Sequence, residues 1–395
     1  MIYFDHAATT PVRPEVVAVI QDSLIEDYGN PSSTYALGRQ TRQHIDQARR
    51  IFAASIKADP ADIIITSCGS ESNNTAIIPT ALALKGKGKH LITSAAEHHA
   101  VLHPMHYLET LGFEVTYLPV DETGKVTVQS VVDAIREDTI LVSLMYANNE
   151  VGSINPIAEI GALLAGKNIL FHTDAVQAYG SEQIDVLQQH IDLLSVSAHK
   201  INGPKGIGFL YRKNSLHLPN FIHGGSQEND HRGGTENTPY IRGFAKAVAL
   251  MEAERKESNR KKRELGAYFL NGLEKSGVPF ECNGVYPEGV PHILNIWLPG
   301  MRSDKMLIQC DLKGIMLAAG SACTAGSLEP SHVLAAMYGK GNPRATESLR
   351  ISFGPANTTE EVDTLIALLQ SIHNKQYTKC IIFLCETILL LKKKK

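Results

Sequence analysis

The 395 residues can bury a large core and form two domains, and the net charge of −3 argues against nucleic acid as a direct partner. The six cysteines form no CxxC pair and no zinc-like spacing, so we expect no metal site and a reducing compartment. The N-terminus has neither a basic n-region nor an apolar h-region, which predicts a cytoplasmic protein without a membrane role.

The first candidate functional segment joins a short apolar strand to a helix. Ile63 to Thr66 predicts a buried strand, and the small-residue loop Ser67 to Asn74 opens an apolar helical run from Thr75 to Leu84. Backbone N–H groups at a helix N-terminus favour an anion, and Ser70 adds a hydroxyl. Neither GxxxxGK nor GxGxxG is present, so this loop alone fits an ordinary capped helix as well as a phosphate site.

A histidine follows the next strand-like segment, Leu91 to Thr93. It is His98, within the run Glu97 to Val101, and its imidazole could stack on the face of a pyridine ring. A histidine considered alone is more often structural, so His98 becomes a candidate only together with other residues.

Two charged residues come shortly after further apolar segments. Asp174 follows Ile169 to Phe171, and Lys200 follows Ile191 to Val196. Burial lowers the pKa of a lysine, and its neutral amine can form a Schiff base, while a buried aspartate can hold a proton on a pyridine nitrogen. Separately they fit a helix N-cap and a surface lysine. Together they indicate pyridoxal phosphate, and Gln177 could hydrogen-bond the ring hydroxyl.

Strand-like and helical segments alternate from about residue 62 to residue 212. This alternation is typical of βαβ units and of a mainly parallel sheet with sites at the strand C-termini. Later segments predict strands with helices between them, as in a smaller α+β domain. We therefore predict a large domain over residues 15–255 and a small domain formed by residues 1–14 and 256–376.

The C-terminal segment begins as a helix and ends in an unusual composition. Thr358 and Glu361 predict a capping box at the start of the last helix. Cys380 to Leu391 is almost continuously apolar and is followed by four lysines, but about eleven apolar residues are too few to span a bilayer, which needs roughly 20. We expect residues 377–395 to be a disordered or loosely docked tail. A membrane-surface or partner-binding segment is the alternative.

Eight short segments, in this order, resemble the NifS/IscS-type cysteine desulfurases of the class V aminotransferase superfamily. The similarity extends from about residue 2 to about residue 375, and the ordered set is more specific than any one segment. The segments are Asp5 to Pro11, Gly29 to Ser33, Glu97 to Val101, Asn148 to Gly152, Asp174 to Gln177, Ser197 to Lys200, Gly320 to Thr324 and Ser348 to Ser352. The resemblance implies an α/β protein with the fold type I of pyridoxal phosphate-dependent transferases: a large domain with a mainly parallel sheet flanked by helices, and a smaller α+β domain.

The resemblance also implies a complete cofactor site. Lys200 would hold pyridoxal phosphate covalently and later remove the substrate α-proton, while His98 would stack on the ring and take part in proton transfer. The other residues expected to contact the cofactor are Ser70, Asn149, Asp174, Gln177, Ser197, His199 and, from the second subunit of a homodimer, Thr235. The family's phosphate loop commonly reads Ser-Gly-Ala-Thr-Glu-Ser, and here Cys68, Gly69 and Ser70 replace the Gly, Ala and Thr.

The implied reaction removes sulfur from L-cysteine and leaves L-alanine. Asn149 and Arg350 would bind the substrate carboxylate, Asn30 is a further candidate substrate contact, and Cys323 would take the sulfur as a persulfide. The Gly-containing, small-residue setting of Cys323 predicts a segment that can move and a thiol that can ionise. The persulfide would pass to an acceptor protein, either an iron–sulfur scaffold or a tRNA-thiolation enzyme.

Other functions stay open at the level of the sequence. A selenocysteine lyase or another class V aminotransferase-type enzyme would share the cofactor residues, although an aminotransferase would not need Cys323. A non-catalytic scaffold would keep the fold without the chemistry. The joint presence of Lys200, Asp174, His98 and Cys323 argues against it.

Overall fold

The computed structural model describes residues 1–320 and 330–392, with side chains described up to residue 375. Its strands are β1 (Ile2–Tyr3), β2 (Ile63–Thr66), β3 (His90–Ser94), β4 (Glu114–Leu118), β5 (Thr139–Ser143), β6 (Leu170–Asp174), β7 (Leu193–Ser197), β8 (Gly208–Arg212), β9 (Glu281–Asn283), β10 (Ile293–Trp297), β11 (Ile315–Met316) and β12 (Ser348–Ser352). Its helices are α1 (Pro14–Glu26), α2 (Ala36–Ser55), α3 (Gly69–Leu84), α4 (His99–Thr110), α5 (Val128–Ala134), α6 (Ile157–Leu164), α7 (Gln227–Asp230), α8 (Thr238–Ser276), α9 (Ser303–Asp311), α10 (His332–Tyr338), α11 (Arg344–Glu347) and α12 (Thr359–Lys392).

A seven-stranded sheet organises the larger part of the molecule, in the order β2-β8-β7-β6-β5-β3-β4. Its strands run parallel except β8, which is antiparallel to both β7 and β2. Strands β3, β5, β7 and β8 are buried along their whole length, as expected of a sheet covered by helices on both faces. The predicted α/β class with a mainly parallel sheet is confirmed.

A second hydrophobic core surrounds the antiparallel sheet β12-β10-β9. Helix α8 connects the two cores, because Phe244 packs in the first and Phe269 packs in the second. The helix is 39 residues long and continues through the predicted domain boundary after residue 255. The two parts of the molecule therefore share one unbroken helix.

The first residues of the N-terminal segment, which was predicted to belong to the small domain, lie against the second core. Strand β1 pairs in parallel with β11, and Phe4 is fully buried among the residues of that core. The chain then crosses toward the large sheet, where the backbone N–H of Thr10 donates to the carbonyl of His199 at 2.9 Å. Residues 5–10 consequently lie between the two parts of the molecule.

The last helix begins as predicted but continues further than expected. The backbone N–H of Thr358 donates to Glu361 Oε2 at 3.2 Å, and that of Glu361 donates to Thr358 Oγ1 at 3.4 Å, which forms the capping box. The tail predicted to be disordered or loosely docked continues α12, which runs on to Lys392 with no proline or glycine to end it, and its docking stays a prediction. Among the described residues, no helix is both long and apolar enough to cross a membrane.

Candidate active site

The C-terminal ends of β6 and β7 open into a cavity of about 180 Å³. These two strands are parallel neighbours, so the residues that follow them emerge at the same edge of the sheet. Of the twelve candidate site residues predicted from the sequence, nine line this cavity: Ser70, His98, Asn149, Asp174, Gln177, Ser197, His199, Lys200 and Arg350.

Asp174 is the last residue of β6, and its buried carboxylate is held at both oxygens. Oδ2 accepts a hydrogen bond from Asn73 Nδ2 at 2.6 Å, and Oδ1 accepts one from the backbone N–H of Val176 at 3.0 Å. Asn73 was not identified from the sequence, because its role depends on the packing of α3 against β6. These contacts fix the direction in which the carboxylate faces the cavity.

Lys200 ends a short 3₁₀ turn directly after β7, as its position in the sequence predicts. Its ammonium donates to the carbonyl of Ala8 at 2.9 Å and also to the carbonyl of Ala7. Both carbonyls belong to the segment that crosses between the two cores. The amine therefore borders the cavity together with Ala7 and Ala8, which come from a distant part of the chain.

Gln177 contacts both the N-terminal segment and a histidine from the second part of the molecule. Its Nε2 donates to the carbonyl of Ala7 at 2.9 Å, and its Oε1 lies 3.1 Å from Nε2 of His292. Gln177 is buried. His292 was not identified from the sequence, since it precedes β10 and no local pattern marks it as a site residue.

His98 caps the start of α4 and presents its ring to the cavity. Its Nδ1 accepts the backbone N–H of Ala100 at 3.1 Å, so the neutral ring carries its proton on Nε2. Burial lowers the pKa of His98, Asp174 acts in the opposite direction, and the ammonium of Lys200 lowers it further. A neutral imidazole with a defined tautomer therefore borders the cavity.

The N-terminus of α3 forms the candidate phosphate loop. Cys68 caps this helix, since its sulfur accepts the backbone N–H of Glu71 at 3.5 Å, and Ser70 lies exposed in the first turn. The unusual Cys68 thus occupies a position that a small hydrogen-bond acceptor can fill. A Cβ on Gly69 would lie 2.8 Å from Cγ2 of Val176, so a larger residue here would require the Val176 side chain or the loop to shift.

Ser197 and His199 complete the wall beside this loop. Ser197 is buried at the end of β7, and Nδ1 of His199 lies 3.1 Å from Oγ1 of Thr9. Burial lowers the pKa of His199 to about 4, and the ammonium of Lys200 acts in the same direction. His199 is therefore neutral at pH 7 and can offer one N–H to a bound group.

Arg350 reaches the cavity from β12 in the second sheet, and it is almost completely buried. Its Nη1 donates to the carbonyl of Asn149 at 3.0 Å, and its Nη2 forms an ion pair with Asp5 Oδ1 at 2.8 Å. Its Nε is buried and has no partner among the described residues. A buried cation with an unused donor suits a carboxylate ligand.

Two candidates from the sequence, Asn30 and Thr235, are not among the residues that line this cavity, and a third cannot be placed. Asn30 is exposed, and its Oδ1 accepts the backbone N–H of Ser32 at 2.9 Å, which forms a local turn. Thr235 is exposed on the loop between α7 and α8, and its predicted contact concerns a second subunit. Cys323 lies outside the described residues. Their assigned roles stay predictions.

Glu97 is a buried acidic residue beside the site to which the sequence assigned no role. Its Oε1 accepts hydrogen bonds from Ser94 Oγ at 2.8 Å and from the backbone N–H of Met145 at 2.9 Å. Burial raises the pKa of Glu97 to about 8, so the carboxyl group is largely protonated at pH 7. The only hint of this in the sequence is that Glu97 directly precedes the candidate residue His98. Glu97 links the ends of β3 and β5 at the cavity.

The residues present fit pyridoxal phosphate. The cavity offers the amine of Lys200 to a carbonyl group, the carboxylate of Asp174 to a ring nitrogen, and the N-terminus of α3 at Ser70 to a phosphate. These three groups line one cavity, so one flat phosphorylated ring could contact all of them.

Comparisons with known proteins extend over nearly the whole chain. The Aminotransferase class-V family model matches residues 2–365. The chain is 50% identical to "Putative cysteine desulfurase IscS 1" from Bacillus subtilis (strain 168). The matched region covers 92% of this chain and 96% of that relative. A solved "NifS-like protein" matches with a TM-score of 0.88 at 34% identity, covering 94% of this chain and 98% of that one. The structure "SspA in complex with cysteine" matches with a TM-score of 0.79 at 35% identity, covering 91% and 100% of the two chains.

Proposed function

Because this chain belongs to the class-V aminotransferase family, we propose that the cavity is its cofactor site and that the residues lining it carry the reaction. The chain is a pyridoxal phosphate-dependent cysteine desulfurase, which removes sulfur from L-cysteine and leaves L-alanine. The observation that carries the residue assignment is the meeting of Asp174, Lys200 and Arg350 in one cavity. A selenocysteine lyase, another aminotransferase-type enzyme and a non-catalytic scaffold gain no support from the comparisons.

Residues of the large sheet would hold the cofactor. When bound, pyridoxal phosphate supplies an electron sink for bond changes at the substrate α-carbon. Nζ of Lys200 would bind it covalently, and the carboxylate of Asp174 would keep a proton on its ring nitrogen. Ser70, Ser197 and His199 surround the place where the phosphate would lie, with the N-terminus of α3 beside it.

Residues from both parts of the molecule would position L-cysteine. The guanidinium of Arg350 would bind the carboxylate, together with the side chain of Asn149, because both line the cavity on the side of the second sheet. Once its amine is free, Lys200 would remove the α-proton. His98 holds a proton on Nε2 and would pass it to the substrate or take it back.

We propose Cys323 as the sulfur acceptor. Its thiolate would attack the substrate sulfur, so that the S–S bond of a persulfide forms while the substrate C–S bond breaks. The electron pair of the C–S bond stays with the carbon, which gains a proton to give alanine. The support for this assignment is the matching segment Gly320 to Thr324 and its small residues.

The remaining parts of the proposal concern assembly and location. A homodimer would allow the exposed Thr235 of one subunit to reach the phosphate bound in the other. The persulfide would pass to an iron–sulfur scaffold protein or a tRNA-thiolation enzyme. The six cysteines form no CxxC pair, which fits the reducing cytoplasm that we propose as its location.

The variant Cys323→Ala tests the acceptor assignment. It should keep the cofactor's visible absorption and its spectral response to L-cysteine, but release almost no alanine and carry no persulfide, because no thiolate replaces the missing one. Cys282→Ala is the matched control, since Cys282 lies in β9 outside the cavity and should retain turnover. Near-wild-type alanine release by Cys323→Ala would favour a lyase that expels sulfur without a protein thiol.

A further inference from the structure

We propose that His292 is a positioning residue, which fixes the amide of Gln177 so that one N–H group faces the ring hydroxyl of the cofactor. The inference rests on the proposed cofactor site. It concerns contacts outside that site, because His292 does not line the cofactor cavity and acts through Gln177.

The orientation of the Gln177 amide follows from its contact with the N-terminal segment. The carbonyl of Ala7 can only accept a hydrogen bond, and it lies 2.9 Å from Nε2 of Gln177. The nitrogen end of the amide therefore faces Ala7, and the oxygen end faces His292. The same carbonyl also accepts a hydrogen bond from the ammonium of Lys200, so one backbone group fixes both side chains.

The proton on His292 can be assigned from the same geometry. Oε1 of Gln177 can only accept, and it lies 3.1 Å from Nε2 of His292, so the N–H must be on Nε2. Burial lowers the pKa of His292 well below its usual range, and the charges of Lys262, His6, Lys200 and Arg350 act in the same direction. His292 is therefore a neutral imidazole that donates from Nε2.

Gln177 lies between two cavities, so its contact with His292 decides which way the rest of the amide faces. One is the cofactor cavity, and the other is lined by residues that include His6, Lys262 and His292, while Gln177 borders both. The contacts described for Gln177 use its oxygen and one of its two amide N–H groups. The second N–H is thereby left to the cofactor cavity, where it can donate to the ring hydroxyl.

His292→Leu and His292→Gln separate a positioning role from a packing role. Leucine removes the donor and leaves Oε1 of Gln177 buried without a partner, whereas glutamine can still donate from a similar distance. We expect His292→Leu to weaken cofactor binding by roughly 3–10-fold, the usual worth of one hydrogen bond. A donor favours the ionised ring hydroxyl, so its loss should raise the pH midpoint of the holoenzyme's visible band by roughly 0.4–1 unit. His292→Gln should restore most of both values.

A double-mutant cycle shows whether the effect passes through Gln177. If it does, His292→Leu should change the midpoint little in a Gln177→Leu background. A midpoint unchanged by His292→Leu, an equal loss in His292→Gln, or a full shift in the Gln177→Leu background would each overturn the inference. If the wild-type protein bound no pyridoxal phosphate at all, the proposed function would fail instead.

A measurement on the wild-type holoenzyme avoids a disruptive substitution. With ¹⁵N-labelled histidine, the resonances missing from the His292→Gln spectrum belong to His292. They should show a neutral ring with its proton on Nε2 between pH 6 and pH 8. A doubly protonated ring, or a proton on Nδ1 alone, would contradict the assignment.

Discussion

The two sides of the cavity are built in different ways. On the cofactor side, Asp174 and Lys200 follow adjacent parallel strands of one sheet, so short stretches of chain place both groups. On the carboxylate side, Arg350 comes from the second sheet and is held by Asn149 and Asp5, which are 201 and 345 residues away in sequence. The first side depends on local strand pairing, while the second depends on how the two cores meet.

The largest expected effect comes from removing the amine on the cofactor side. Lys200→Ala should lose the covalently held cofactor and roughly 10²–10⁴-fold of the rate, because the proton-transfer group is gone. Dialysis followed by the visible spectrum and alanine release measures both. Lys205→Ala is the control, since Lys205 is exposed a few residues later. Borohydride trapping of the cofactor on a lysine other than Lys200 would contradict the assignment.

A smaller and more selective effect is expected on the carboxylate side. Arg350→Leu should raise KM for L-cysteine by roughly 10–100-fold, the usual worth of charged hydrogen bonds, and leave the visible spectrum of the bound cofactor unchanged. Steady-state kinetics and absorption spectra provide the measurement, with the exposed Arg302→Leu as control. A simultaneous loss of the cofactor would show that the two sides are not independent.

The smallest effect concerns the stability of the cofactor side at the ends of β3 and β5. The pKa of Glu97 is raised to about 8 from 4.5, so the folded protein keeps a proton that the unfolded chain loses. Between these values the wild type should lose stability as pH rises, by at most about 1.4 kcal/mol per pH unit.

Glu97→Gln removes this titration. The Tm of the variant minus the Tm of the wild type should therefore be larger at pH 8 than at pH 5. Thermal unfolding of the two holoenzymes measures this difference. The control Glu26→Gln replaces an exposed glutamate and should follow the wild type at both pH values. A Tm difference that is independent of pH would mean that Glu97 is ionised in the folded protein.

The same contrast explains what the sequence could predict. The strands before Ser70, Asp174 and Lys200 are short apolar runs, and the group that follows each run emerges at one edge of the sheet. The partners Asn73 and His292 were missed, because their contacts arise when distant elements pack and leave no local pattern. The sequence also could not show that α12 continues through the apolar tail, since composition does not determine where an uninterrupted helix ends.

Helix α8 has a consequence for how the molecule unfolds. At 1.5 Å per residue its 39 residues span about 58 Å, with Phe244 buried toward one end and Phe269 toward the other. Neither core can open fully without freeing part of a helix that the other core still holds. We therefore expect the two cores to melt in one cooperative transition, so that a ligand bound at the large sheet also protects the backbone amides of β9, β10 and β12 from hydrogen exchange.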